Sequence, residues 1–105
     1  VIGSVILIER DVYLTQLYDC YFKLLTEKQR LYFEDYYFNN LTLSEMSESY
    51  NISRNAVHKQ LKDVNDKLID FESKLKIYEK NKKLEEISYL MDENLKKRIN
   101  EIIND

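Results

Sequence analysis

Leu41-Thr-Leu-Ser-Glu-Met-Ser-Glu-Ser-Tyr-Asn-Ile-Ser-Arg-Asn-Ala-Val-His-Lys-Gln-Leu-Lys62 decides the fold, because its spacing builds two short helices around one tight turn. Thr42 with Glu45 three positions on makes a capping box, and Leu43, Met46 and Tyr50 recur at three and four on the helix that follows. Asn51 supplies the left-handed residue of the turn, since asparagine takes that conformation more readily than any other non-glycine residue. Ile52 plugs the turn and Ser53 caps the second helix. Val57 and Leu61 then point inward, while Arg54, Asn55, His58, Lys59 and Lys62 point outward. A basic, amide-bearing face at the start of a helix is what a reader of the DNA major groove presents.

Working outward, the chain reads as all helix. In 105 residues there is one glycine, Gly3, and no proline, so nothing after it carries the turn punctuation of a sheet protein. Helix one is expected over Glu9 to Leu25, with Val12, Tyr13, Leu17, Cys20, Tyr21 and Leu24 at helical spacing. A second capping box, Thr26 with Gln29, restarts the chain as helix two, which runs to about Phe38 and carries Leu31, Phe33, Tyr36 and Tyr37. Three consecutive rings, Tyr36-Tyr37-Phe38, cannot all face inward on one helix, so at least one is expected at a surface. Asn39-Asn40 ends that helix.

Beyond Lys62 no breaker occurs, and Val57, Leu61, Val64, Leu68, Phe71, Leu75 and Tyr78 alternate by four and three. The pattern predicts one helix from Arg54 to Lys80 carrying a heptad seam of about three repeats, roughly 40 Å long. A helix that outruns its domain needs a partner. Two are available: a second copy of the chain, or the amphipathic segment holding Leu84, Ile87, Met91, Leu95, Ile99 and Ile102, which follows a joint at Lys80-Asn81-Lys82-Lys83. Three uninterrupted heptads exceed what a small core requires, which favours a homodimer with Leu61, Val64, Leu68, Phe71, Leu75 and Tyr78 at its coiled-coil interface. The domain plan is therefore an N-terminal extension over 1–8 without helical spacing, a helical domain over 9–62 with the helix-turn-helix at 42–62, and a C-terminal helical extension over 63–105.

Net charge is −3, which argues against a general nucleic-acid glue. Its distribution matters more: residues 1–52 hold four Lys or Arg against eight Asp or Glu, and residues 53–105 hold twelve against eleven. The stretch 54–62 has three cations and no acid, so nucleic-acid contact is confined to that strip. The longest apolar run, Val5 to Ile8, is far too short to span a bilayer, so no membrane insertion is expected. With a single cysteine and no signal-peptide pattern the expected location is cytoplasmic. One histidine does not make a zinc site, and no cofactor is expected. Cys20 sits among apolar residues and reads as a small core residue. There is no glycine-rich phosphate loop and no nucleophile with a plausible base, so the chain does not read as an enzyme.

Leu24-Leu-Thr-Glu-Lys-Gln-Arg-Leu-Tyr-Phe-Glu-Asp-Tyr-Tyr37, followed by Leu41-Thr-Leu-Ser-Glu-Met46 and Ile52-Ser-Arg-Asn-Ala-Val57, resembles the YlxM-like family of small bacterial helix-turn-helix proteins and, more distantly, region four of sigma factors. The likeness runs from Asp11 to Tyr78. It implies an all-α, winged-helix-like or sigma region four-like domain with a long C-terminal extension. It also implies a regulatory role tied to the signal recognition particle pathway, with components of that particle as partners. The family's nucleic-acid helix maps onto Ser53, Arg54, Asn55, Ala56 and Val57. Two positions depart from the pattern: Met46-Ser47 stands in place of a branched aliphatic followed by alanine, and His58 in place of a frequent phenol. The expected function is a DNA-binding transcription regulator, with a protein-interaction adaptor that binds a component of the particle as the alternative.

Overall fold

The computed structural model describes the backbone of residues 2–105 and the side chains of residues 9–105. Among the described residues six α-helices follow in order: α1 Ile2–Tyr21, α2 Glu27–Tyr37, α3 Leu43–Tyr50, α4 Arg54–Leu75, α5 Ile77–Ser88 and α6 Glu93–Ile103. A 3₁₀ turn over Phe22–Leu24 links the first two, and there is no strand among the described residues. The all-α class read from the sequence is what the chain adopts. The backbone of the segment that lacked helical spacing is continuous with helix one, which starts at Ile2 rather than Glu9. Val1 and the side chains up to Ile8 lie outside the described residues.

The local caps form as their sequences dictate. Thr26 Oγ1 accepts the Gln29 N–H at 3.2 Å while Gln29 Oε1 accepts the Thr26 N–H at 3.0 Å. Thr42 and Glu45 repeat the exchange at 3.1 Å in both directions, so each helix start has two orphan donors satisfied by side chains. Asn40 and Asn51 close α2 and α3 with φ of 57° and 54°.

Two clusters make the core, and α4 belongs to both. In the first, Leu14, Leu17, Tyr18 and Tyr21 of α1 meet Leu25, Phe33 of α2, and Val64 and Leu68 of α4. Its centre is the Tyr18 and Phe33 pair, stacked with ring centroids 4.4 Å apart. In the second, Tyr32 of α2, Met46 of α3 and Val57 and Leu61 of α4 pack beneath Leu41, Leu43, Tyr50 and Ile52.

Two further expectations are corrected, and one holds. On α1 the inward stripe is Leu14, Leu17, Tyr18, Tyr21 and, beyond the turn, Leu25, while Val12, Tyr13 and Leu24 are exposed. That helix has bulky residues on more than one face, and periodicity alone does not choose between stripes. On α2, Phe33 is buried but Leu31 and Tyr36 are exposed; Phe38 is exposed as well, so the triple of rings does reach the surface.

The second correction concerns the long helix. α4 ends at Leu75, because Lys76 turns left-handed at φ 55°, ψ 32°, and Lys80-Asn81-Lys82-Lys83 lies inside α5 instead of forming a joint. The seam packs chiefly against α1, α2 and α3 of its own chain. Val64 and Leu68 are buried against α1 with Phe71 and Tyr78 at the edge of that cluster, and Leu61 is buried against α2 and α3. Of the proposed dimer residues, Leu75 alone is freely exposed. α5 crosses back along α1, where Tyr78 donates to Gln16 Oε1 at 2.8 Å and meets Tyr13 edge-on at 5.5 Å. α6 folds against α5.

Candidate nucleic-acid interface

Ser53 sits in extended backbone, and its Oγ accepts the Ala56 N–H at 3.1 Å, so α4 begins with its first donors partly satisfied and its amino end open to solvent. Val57 and Leu61 anchor the opposite face in the second cluster, with Val57 fully buried. That anchoring turns Arg54, Asn55, His58, Lys59 and Lys62 outward, and all five are exposed, as their spacing predicts.

Three of the five converge. Arg54, Asn55 and His58 line a shallow groove of about 390 Å³, whose remaining wall is Leu43 at the first position of α3. Lys59 and Lys62 lie outside it. The groove sits at the amino end of α4, where the helix dipole and free N–H groups favour negative charge. Leu43 was read from the sequence only as a core residue; it is half-buried, and its position three residues before Met46 is the signal that places it at the rim of the α3 packing face.

The two lysines differ. Lys62 Nζ is 2.9 Å from Asp66 Oδ2 one turn on, and the hydrogen bond to that carboxylate, with its charge, raises the ammonium pKa above the ordinary lysine value. No carboxylate among the described residues pairs with Lys59 or Arg54. Asp66 was missed in reading the outward face, although the Lys62 and Asp66 spacing of four is a standard helix-surface pair.

The turn is fixed by its own backbone. Asn51 N–H bonds to Glu48 O at 3.3 Å and Ile52 N–H to Ser47 O at 3.1 Å, which satisfies carbonyls at the end of α3. Tyr50 donates to Asp35 on α2, so α3 is tied to the support helix by a side-chain bond as well as by Met46.

No group of three or more His, Cys, Asp or Glu side chains among the described residues is arranged to hold a metal ion. Cys20 is half-buried at the edge of the first cluster, and burial, followed by the Glu72, Asp19 and Glu85 carboxylates, pushes its thiol pKa up, which lowers the thiolate fraction. No helix among the described residues is long and apolar enough to cross a membrane.

Residues 8–105 match the model of a protein family described as "UPF0122: Putative helix-turn-helix protein, YlxM / p13 like". A UPF0122 protein of Ureaplasma parvum is 44% identical over 91 residues, covering 86% of this chain and 92% of its own. One from Staphylococcus epidermidis is 38% identical over 79 residues, 75% of this chain and 72% of the relative. One from Fusobacterium nucleatum is 35% identical over 98 residues, 92% of this chain and 95% of the relative.

Proposed function

The chain belongs to the UPF0122 family of YlxM / p13-like helix-turn-helix proteins, and from that premise we propose that it is a non-enzymatic regulator that binds nucleic acid through the first two turns of α4. The observation that carries this reading is the convergence of Arg54, Asn55 and His58 on one open groove at the helix start. An α-helix fits the major groove of B-form DNA, whereas the major groove of A-form RNA is too deep and narrow for side chains to read, so DNA is the favoured ligand. In this reading Arg54 and Asn55 reach base edges, arginine toward guanine and asparagine toward adenine. Lys59 meets phosphate and supplies salt-dependent affinity. The place of action suggested by the family resemblance is the signal recognition particle pathway.

The test is capture of nucleic acid from the cell's own pool at low salt, followed by sequencing, with Arg54→Ala beside the wild type. Enrichment of a sequence class that the substitution alters supports the reading, and recovery of no DNA or RNA above background refutes it.

A second reading is favoured by the exposed rings of α2. Tyr36 and Phe38 lie on the surface of an acidic N-terminal half, a composition that suits a protein partner better than a phosphate backbone. In that reading the chain is an adaptor on a protein component of the particle. Co-purification of that component surviving nuclease treatment, together with loss of binding in Phe38→Ala but not Arg54→Ala, distinguishes it.

A further inference from the structure

The break between α4 and α5 is a single residue. Lys76 adopts φ 55°, ψ 32°, a conformation in which a lysine meets a steric clash that glycine avoids. The surrounding sequence favours the opposite. Phe71, Leu75 and Tyr78 keep the four-and-three alternation straight across the break, and neither glycine nor proline occurs anywhere between Ser53 and Asp105. Local preference therefore asks for one continuous helix, and the bend is imposed by distant groups.

Those groups form a clamp. Glu72 is buried, and its Oε1 accepts from the Tyr21 hydroxyl at 2.5 Å and from the Tyr78 N–H at 3.0 Å, while Oε2 accepts from the Glu79 N–H at 3.1 Å. The Tyr21 hydroxyl in turn accepts the Ile77 N–H at 3.1 Å. Three donors of the first turn of α5, which the bend leaves without helical partners, are met this way. α5 is then held on α1 by the Tyr78 bond to Gln16 and the Tyr13 contact.

A one-residue strained hinge, between helices whose sequences read as one, favours exchange of the segment beyond it between copies. We propose that a second copy of this chain is a partner, and that the two dimerise by exchanging α5 and α6. Lys76 becomes helical, α4 and α5 fuse, and α5 of each copy occupies the place on the other's α1. The Tyr78 and Gln16 bond and the Tyr13 and Tyr78 contact re-form between copies. The N–H groups of Tyr78 and Glu79 pass to carbonyls within the fused helix, and Glu72 keeps Tyr21 of its own chain. Left-handed strain disappears at both hinges. Leu75 and Ile77, 45% and 39% exposed beside the hinge, are placed where the two fused helices cross. The exchange does not depend on nucleic-acid binding.

Lys23 and Lys82 test it, because both line the groove of about 780 Å³ between the end of α1 and the α5–α6 pair. Light-isotope and heavy-isotope chains are mixed, held concentrated just below their melting temperature, cooled, and separated by size. Monomer and dimer fractions are then treated with a short amine-reactive crosslinker. In the monomer the Lys23 and Lys82 peptides are joined within one isotope. In the wild-type dimer they are expected to be joined across isotopes as well. Lys76→Gly, which relieves the left-handed strain and weakens a continuous helix, is expected to lower the dimer association constant about tenfold or more. The proposal is overturned if the wild type yields no dimer at millimolar concentration, if the dimer joins these lysines only within one isotope, or if Lys76→Gly dimerises as readily as the wild type.

Discussion

The hydroxyl of Tyr50, the last residue of α3, donates to the carboxylate of Asp35 on α2. Asp35 also accepts from Asn39 Nδ2 at 3.1 Å, and its backbone carbonyl accepts the Leu41 N–H at 2.9 Å. One residue of the support helix thus fixes both the connection that leads into the helix-turn-helix and the helix that opens it. Tyr50→Phe removes a hydrogen bond to a charged group at a half-buried site, which is expected to lower the unfolding free energy by about 1–2 kcal/mol. A double-mutant cycle with Asp35→Asn, followed by urea denaturation, measures the coupling; simple additivity of the two losses would show that the bond contributes nothing.

The turn at Asn51 has φ 54°, ψ 47°. Asn51→Ala places a Cβ in a left-handed conformation without the local hydrogen bonding that suits asparagine to it. It is expected to cost about 1 kcal/mol, while Asn51→Gly is expected to be neutral or slightly stabilising. Melting temperatures of the three proteins check the order.

Alkaline pH should loosen the same joints. Burial first, and then the hydrogen bond to Asp35, pushes the Tyr50 phenol up to about 12; burial and the bond to Glu72 do the same for Tyr21. In an unfolded chain a phenol titrates near pH 10. Because the folded values are the higher ones, the stabilisation is fully present below about pH 10 and is lost as the pH rises toward 12. Urea midpoints should therefore be flat up to about pH 10 with respect to these groups and fall beyond it, with a smaller fall in Tyr50→Phe. An identical alkaline slope in wild type and variant would remove Tyr50 from the account.

Within the proposed interface the two lysines are expected to separate. Lys59→Ala should weaken nucleic-acid binding uniformly across sequences and reduce the salt slope by about one counterion. Lys62→Ala should do less, because its ammonium is shared with Asp66. Asp66→Asn, which frees that charge and removes a repulsion of phosphate, should tighten binding. Salt titrations of the three variants on one captured sequence are the measurement, and a weaker Asp66→Asn complex would contradict the view that Asp66 holds the Lys62 charge back from the nucleic acid.

What the sequence made legible follows the range of the interactions involved. Thr26 with Gln29, Thr42 with Glu45, Asn51 and Ser53 each act within three or four positions, and all formed as read. The outward set from Arg54 to Lys62 was also legible, since a helix of known start and known buried face has only one opposite face. The groove wall at Leu43 was not, because it depends on the angle between α3 and α4. The stop at Lys76 was equally hidden. It is held by Tyr21 and Glu72, which are 51 positions apart, and no local residue announces it. The heptad seam reported correctly which positions of α4 are apolar, but a repeat names a face and not its neighbour. Here that neighbour is mainly α1.

α4, like α2, is shared by the two core clusters, its first half set in the second cluster and its second half in the first. It therefore acts mechanically as a beam clamped at two places, with the groove of Arg54, Asn55 and His58 at one tip and the hinge at the other. Rotation of the outer face about the beam's axis would have to tear Val57 and Leu68 from their seats at once. A tilt applied at Lys76 meets the same two seats before it can reach Arg54. Whatever grips α5 and α6 therefore leaves the groove where the two clusters set it.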